Sequence, residues 1–299
     1  MRAIFQWKIG TRVLELGRRT LIMGIVNVTP DSFSDGGQYI DASKAVAHAE
    51  KLLDEGAAII DVGGESTRPG TVTDGKGTAG RGAVSEEEEK KRVLPVIRDL
   101  KKRRPESVVS VDTYKAGVAR AAIGEGAEIV NDISGFRWDS KIAKTIAELK
   151  VGAVLMHSRG KPEEWKNLPP IGDPVLTVKR ELRQWAEAAT LAGIKRDYLV
   201  LDPGFGFGKK MEENYPLLAH FAELQLMGFP LLAGVSRKSF LGRALAHDGK
   251  DAVVEERGFG TLAAETILIL KGAHILRTHD VRQAVEAARV ADTIVASGG

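Results

Sequence analysis

The sequence predicts an α/β protein: a single (β/α)8 TIM barrel spanning residues 1–299, with an N-terminal β-hairpin closing its base. Three observations predict this. From Leu21 onward eight short apolar runs recur, each ending in polar residues and followed by a helical stretch. The runs are nearly continuous in apolar residues, the pattern of parallel strands covered by helices. The chain also passes four times from a helix into a strand through Gly-Ala, at Gly56-Ala57, Gly126-Ala127, Gly152-Ala153 and Gly272-Ala273. Glycine at the residue after a helix takes the left-handed conformation cheaply and makes a tight turn. A doubly wound open sheet is the other way to arrange the same units.

The elements follow in order. Residues 1–19 alternate through Phe5, Trp7 and Ile9, turn at Gly10-Thr11-Arg12, and continue through Val13, Leu14 and Leu16, which reads as the hairpin. The strand runs are Leu21–Val26, Ala58–Val62, Val108–Val111, Ile129–Val130, Ala153–Met156, Tyr198–Leu201, Leu231–Val235 and Ile275–Leu276. Among the helices, Ser85 and Glu88 form an S-x-x-E capping box, and Asp41 and Asp280 are candidate N-caps. Residues 66–89 break the economy of the pattern. Their core, 70–84, is rich in Gly and Thr without apolar periodicity and reads as a long mobile loop.

Composition narrows the function. The hydrophobic share of 43% and charged share of 28% are ordinary for a globular protein, and a net charge of +3 is too thin to argue for nucleic acid or membrane binding. There is no cysteine, which excludes disulfides, thiolate metal sites and a cysteine nucleophile. The first ten residues lack the apolar core of a signal peptide, and no run approaches a membrane span, so a cytoplasmic protein is expected.

In such barrels chemistry sits at the C-terminal ends of the strands. There the sequence places Asn27, "DVGGESTRPG", Asp112-Thr113, Asn131-Asp132, His157-Ser158-Arg159, Asp202-Pro203, Ser236-Arg237-Lys238 and Arg277-Thr278-His279. Helix capping explains some Asp, Asn and Ser. It does not explain Lys238, Arg277 and His279 clustered with Asp112, Asn131 and Asp202. No zinc signature is present, and "GFGFG" at 204–208 lacks the spacing of a nucleotide loop. A planar polar ligand fits better: carboxylate and amide oxygens take the N–H groups of a heterocycle while a Lys donates to its carbonyl. Arg68, Arg237, Arg277 and His279 suit an anion. Phe205 and Phe207, flanked by glycines, are candidates to flank a flat ligand, whereas Trp138, Trp165 and Trp185 read as packing residues. His274 reads as packed at the base of the last strand, and His48, His220 and His247 as solvated. The loop "TPDSFSDGG" at 29–37 reads as a lid, with Asp35 as its preferred functional acid.

Seven stretches in one order resemble the dihydropteroate synthase family, across roughly residues 20–290. They are "MGIVNVTPDSFSDGG" at 23–37, "IIDVGGESTRPG" at 59–70, "VSVDT" at 109–113, "IVNDISG" at 129–135, "LDPGFGFGKK" at 201–210, "GVSRKSFLG" at 234–242 and "RTHDV" at 277–281. The resemblance implies a transferase that condenses (7,8-dihydropterin-6-yl)methyl diphosphate with 4-aminobenzoate, giving 7,8-dihydropteroate and diphosphate for folate biosynthesis. It implies that Asp112, Asn131, Asp202 and Lys238 hold the pterin edge, with Arg277 against the pterin face. Asn27, Arg277 and His279 would hold diphosphate, Thr278 would join the substrate contacts, and Asn27 would also reach Mg2+. Thr67, Arg68, Pro69, Phe207 and Ser236 would form the aminobenzoate side. Asp35, Arg68 and Lys238 are the expected catalytic residues, and a homodimer and competition by aminobenzoate mimics are implied. The chain departs from the family's pattern at "MHSRG", where a second Met is usual, and in the length of the 70–84 run. A pterin- or folate-binding methyltransferase barrel acting with a corrinoid protein is the other reading. It would not need "TPDSFSD", "STRPG" or the "SRK" and "RTHD" anion set.

Overall fold

The computed structural model describes residues 2–28, 38–65 and 84–298, with the side chains of 38–41 left aside. Asp35, Thr67, Arg68 and Pro69, the proposed lid and most of the expected long loop lie outside the described residues, and Asp41, expected at an N-cap, lies instead inside the helix Gln38–Asp54, three residues past its start.

Eight parallel strands run in the order β8-β7-β6-β5-β4-β3-β10-β9. They are β3 (Leu21–Asn27), β4 (Ile59–Gly63), β5 (Val108–Asp112), β6 (Ile129–Asp132), β7 (Gly152–Met156), β8 (Leu199–Asp202), β9 (Leu232–Ala233) and β10 (Ile275–Thr278). The two ends meet: Leu201 of β8 forms a parallel bridge with Leu231 just before β9, and the Leu201 N–H donates to the Pro230 carbonyl at 3.0 Å. The sheet is therefore a closed barrel and not the open alternative. Strand pattern explains why. Side chains alternate faces along a strand, and the outward members pack under the helices in the larger apolar cluster. The inward members Met23, Ile59, Val108, Ile129, Val154, Val200, Leu232 and Ile275 form a second cluster that fills the lower lumen.

The hairpin completes that lower cluster. β1 (Phe5–Ile9) pairs antiparallel with β2 (Arg12–Leu16), and Trp7, Ile9 and Leu16 are buried against the strand residues from below. The Trp7 indole N–H donates to the Tyr198 carbonyl at 2.8 Å. His274 belongs to this base as expected. It accepts the Leu231 N–H at Nδ1, 3.1 Å away, so Nε2 carries the hydrogen and donates to the Ala3 carbonyl at 3.1 Å.

The four Gly-Ala junctions turn out to be of two kinds. Gly56, Gly126 and Gly272 have φ of +104°, +106° and +97°, as the helix-exit argument requires. Gly152 does not; the left-handed residue there is Lys150, with φ 53°. Gly152 is needed for space, because a Cβ on it would stand 2.5 Å from Ile9 Cγ2 and 3.2 Å from the Trp7 ring. Gly152→Ala is thus expected to push the hairpin off the barrel base and cost about 1–3 kcal/mol, as overpacking does. Urea unfolding of the two proteins checks this, and an unchanged midpoint would mean that the hairpin yields freely.

Helix entry also follows two routes. Ser85 caps α2 (Glu86–Arg103) by accepting the Glu88 N–H at 3.2 Å. Asp280, expected to cap α9 (Val281–Ser297), makes no side-chain capping bond. Its carboxylate is instead taken by the Arg237 guanidinium, with Nε at 3.0 Å. A charged bidentate partner outcompetes a backbone N–H for the same oxygens.

Candidate active site

Above the apolar layer the lumen turns polar within two residues, because the alternation that puts Ile59, Val108, Ile129, Val200 and Ile275 inside also puts Asp61, Ser110, Asn131, Asp202 and Arg277 inside. The next inward position of β5 is Asp112. Strand register sets Asn27, Gly63, Asp112 and Asn131 level with one another across β3, β4, β5 and β6.

Arg277 organises this floor. Its Nε donates to Asp61 Oδ2 at 2.6 Å and its Nη2 to Asp112 Oδ2 at 2.7 Å. Asn131 Nδ2 donates to the same Asp61 oxygen at 3.0 Å. Asp61 is fully buried, and its Oδ1 has no hydrogen-bond partner among the described residues. Burial pushes the Asp112 carboxyl up to about 7, against the pull of Arg277 and with the push of Asp61.

A second group lies across β8 and β9. Asp202 is buried and its Oδ1 accepts the Gly204 N–H at 2.7 Å, which pins the carboxylate at the start of the β8 loop. Lys238 donates its ammonium to the Phe205 carbonyl and lies 4.5 Å from the centre of the Phe207 ring. Burial brings Lys238 down to about 7, with Asp202 pulling it back up. The same burial raises Asp202, which Lys238 opposes.

Three glycines make this loop possible. A Cβ at Gly204, whose φ is +64°, would sit 1.9 Å from the His157 carbonyl oxygen. Lys209 fastens the loop from behind, its buried ammonium donating to the carbonyls of Gly204 at 2.7 Å, His157 at 3.3 Å and Phe207 at 3.4 Å. Phe205 does not flank the lumen as expected. It is fully buried in the helical layer against Phe221 and Phe240, while its carbonyl accepts from Lys238. Phe207 stays half-buried beside Trp165 and Lys238.

The third group is the anion side. Ser236 Oγ and His279 Nδ1 are 2.9 Å apart, and the His279 N–H donates to the same hydroxyl at 3.2 Å. Thr278, between Arg277 and His279, is fully buried and accepts the Asp280 N–H at 3.3 Å. His157 is also fully buried: Nε2 lies 3.1 Å from Glu181, the ring stacks on Trp185, and burial pushes it down to about 3. It is a neutral support behind β7.

Ten of the expected residues are therefore within the described structure: Asn27, Asp112, Asn131, Asp202, Phe207, Ser236, Lys238, Arg277, Thr278 and His279. Asp61 and Lys209 were missed. The signal for Asp61 was present, since Ile59-Asp61-Gly63 is a period-two inward set hidden in an apolar run. Nothing in "GKK" distinguishes the buried Lys209 from its exposed neighbour.

A family model described as pterin binding enzyme matches residues 23–279. The chain is also 44% identical over 289 residues to the dihydropteroate synthase of Clostridium beijerinckii, covering 96% of this chain and 99% of that one. The chain belongs to the dihydropteroate synthases of the pterin-binding enzyme family. Solved dihydropteroate synthases share the whole barrel. The Xanthomonas albilineans enzyme with 4-aminobenzoic acid has a TM-score of 0.86 at 41% identity, covering 98% of this chain and 99% of that one. The same organism's enzyme in complex with 7,8-dihydropteroate has a TM-score of 0.82 at 39% identity, with 97% and 99% covered. No helix among the described residues is long and apolar enough to cross a membrane.

Proposed function

We infer that the chain condenses (7,8-dihydropterin-6-yl)methyl diphosphate with 4-aminobenzoate to give 7,8-dihydropteroate and diphosphate. What supports this reading is the polar upper lumen: Asp112 and Asn131 stand level on β5 and β6, Asp202 ends β8, and Lys238 lies beside the Phe207 ring, all beyond the apolar layer of the lower lumen. A pterin edge presents several N–H donors and one carbonyl. Two carboxylates, an amide and an ammonium match that pattern. Arg277, held between Asp61 and Asp112, would lie against the ring, and Ser236 and His279 would take the diphosphate with Arg277.

The chemistry asks little of a base. Breaking the C–O bond develops charge on diphosphate, and donors fixed in place before the reaction stabilise it. His279 and Arg277 supply such donors. The pterin methylene left behind is a stabilised cation, so the path is SN1-like, and the neutral arylamine attacks without prior deprotonation. Positioning and exclusion of water then dominate. We assign Asp35, Thr67 and Arg68 to the aminobenzoate side and its cover, with Phe207 as the wall. That assignment is supported by the family motifs that contain them.

Mg2+ fits the donor chemistry. Among the described residues no group of three or more His, Cys, Asp or Glu could cage a metal, whereas Mg2+ is commonly held by one or two protein oxygens together with substrate phosphates. The Asn27 carboxamide at the end of β3 is such an oxygen. When bound, the ion would neutralise charge on the departing diphosphate. The lack of cysteine fits action in the reducing cytoplasm.

The test is to mix the purified protein with the pterin diphosphate, 4-aminobenzoate and Mg2+ and measure both products. Absence of both over a range of pH would overturn the reading, and methyl transfer with a corrinoid protein would favour the other barrel chemistry.

We also propose a homodimer. Helices α8 (Gly258–Leu270) and α9 pack side by side, and expose Phe259, Ile267 and Leu270 from one and Val290 and Ile294 from the other. Phe259 is 90% exposed, an unusual position for a phenylalanine unless a second copy covers it. Light scattering should report twice the chain mass, and Ile294→Asp should shift it to the monomer; a monomeric wild type would remove the proposal.

A further inference from the structure

The turn that presents Ser236 and Lys238 is built on an arginine in a backbone conformation that favours glycine. It spans residues 235–238 and is closed by the Lys238 N–H, which donates to the Val235 carbonyl at 3.2 Å. Arg237, its third residue, has φ of 56°. Turns with a positive φ there usually carry Gly or Asn, because a Cβ is crowded in the left-handed region. The peptide between Ser236 and Arg237 decides the form. Turning it over would return Arg237 to negative φ and leave a turn of the same length.

Helix α8 holds that peptide. Thr261, buried on the helix, accepts the Arg237 N–H at its Oγ1, 2.9 Å away. Arg257, at the helix start, donates Nη1 to the Arg237 carbonyl at 3.0 Å and Nε to the Ala252 carbonyl at 2.9 Å. Both backbone groups of the left-handed residue are therefore anchored from one helix. In this form the turn is also tied to the end of β10. Arg237 Nε donates to Asp280 at 3.0 Å, and Ser236 Oγ lies 2.9 Å from His279 Nδ1 and accepts the His279 main-chain N–H at 3.2 Å. Arg237, expected to face an anion, is thus taken by Asp280, and nothing in the proposed reaction uses Thr261.

We propose that Thr261 is a positioning residue: its hydroxyl selects the left-handed form of Arg237, and so sets Ser236 and Lys238, on either side, for the pterin diphosphate. The inference rests on the proposed function. It follows that Arg237→Gly makes the anchor unnecessary, because glycine takes this form of the turn unaided.

The experiment measures Kd for the pterin diphosphate by titration calorimetry, and kcat in the full reaction. It compares wild type, Thr261→Val, Thr261→Ser, Arg237→Gly and the variant carrying both Thr261→Val and Arg237→Gly. Circular dichroism and melting temperature are recorded for each. Thr261→Val keeps the side-chain shape and is expected to remain folded and to raise Kd by about tenfold, the worth of one lost hydrogen bond. Thr261→Ser restores the hydroxyl and should bind as wild type does. In the Arg237→Gly background, Thr261→Val should raise Kd by no more than about twofold, since both residues act through one turn. An unchanged Kd in Thr261→Val, with or without a fall in kcat, would overturn the proposal, as would the same tenfold loss in the Arg237→Gly background. If Thr261→Val does not fold, Arg257→Met, measured with and without Arg237→Gly, decides by the same comparison. A wild type that binds no pterin diphosphate would instead overturn the function assigned to the site.

Discussion

Asp202→Asn is expected to weaken binding of the pterin diphosphate by about 100-fold while leaving the barrel intact, a loss of about 2.7 kcal/mol and within the range for a hydrogen bond to a charged group. The variant isolates the charge. Asn keeps the Oδ1 atom that already accepts the Gly204 N–H at 2.7 Å, so the loop 202–208 retains its anchor. What is lost is the second carboxylate oxygen and the negative charge beside Lys238. That charge works on Lys238 as well, since Asp202 is the group that opposes its desolvation. Without it the lysine falls below about 7 and is neutral over more of the working range. Two partners of the pterin edge, the acceptor Asp202 and the donor Lys238, therefore weaken together, and binding should recover partly as the pH is lowered and Lys238 takes its proton back. Titration calorimetry with the pterin diphosphate at two pH values checks both parts. Unchanged affinity would remove Asp202 from the pterin site. A melting temperature far below wild type would show that the anchor, not the charge, had failed.

How far the sequence exposed this site depends on where each residue sits in its strand. Asp112, Asn131 and Asp202 are polar residues at or one position from the C-terminal ends of apolar runs, where period-two alternation and the barrel rule together mark the lumen. Arg277 was legible for the same reason, though its pairing was not: the partners Asp61 and Asp112 come from β4 and β5, more than 150 residues earlier in the chain. Asp61 was hidden by being a single charge within Ala58–Val62, which reads as strand core. Phe205 misled because glycine on both sides suggests exposure, whereas the glycines serve the backbone and let the ring turn into the helical layer. The fold was legible almost throughout because its signals are local. Gly152 shows the limit: the same dipeptide that elsewhere encodes a left-handed turn there encodes room for Ile9 and Trp7.

Arg277→Met carries the other large expected effect, on stability as much as on turnover. The guanidinium is the counter-ion of two carboxylates at once, with Nε 2.6 Å from Asp61 and Nη2 2.7 Å from Asp112. Methionine fills similar space without charge, so Asp61 and Asp112 are left facing each other. Removing one side of a buried ion pair typically costs about 3–5 kcal/mol, and the folded protein should lose that much near pH 8. The sign of its pH dependence follows from linkage. Asp112 already holds its proton up to about 7 in the fold, against an ordinary carboxyl near 3.8 in the unfolded chain. Without Arg277 it holds it higher still. Between those limits the folded state binds more protons than the unfolded one, so lowering the pH stabilises the fold. The deficit of Arg277→Met should therefore shrink as pH falls from about 8 to about 5.5, and adding Asp61→Asn should recover much of it even at the higher pH. Urea unfolding of wild type, both single variants and the double variant at the two pH values supplies the measurement. A deficit that is the same at both pH values and is not relieved by Asp61→Asn would mean that the carboxylates do not depend on the guanidinium. Arg277 would then be placed by the strand alone, and its whole worth would lie with the ligand. In the expected case the bound pterin diphosphate competes with Asp61 and Asp112 for one cation. The arginine that stabilises the empty barrel would then be the same one that the substrate must share.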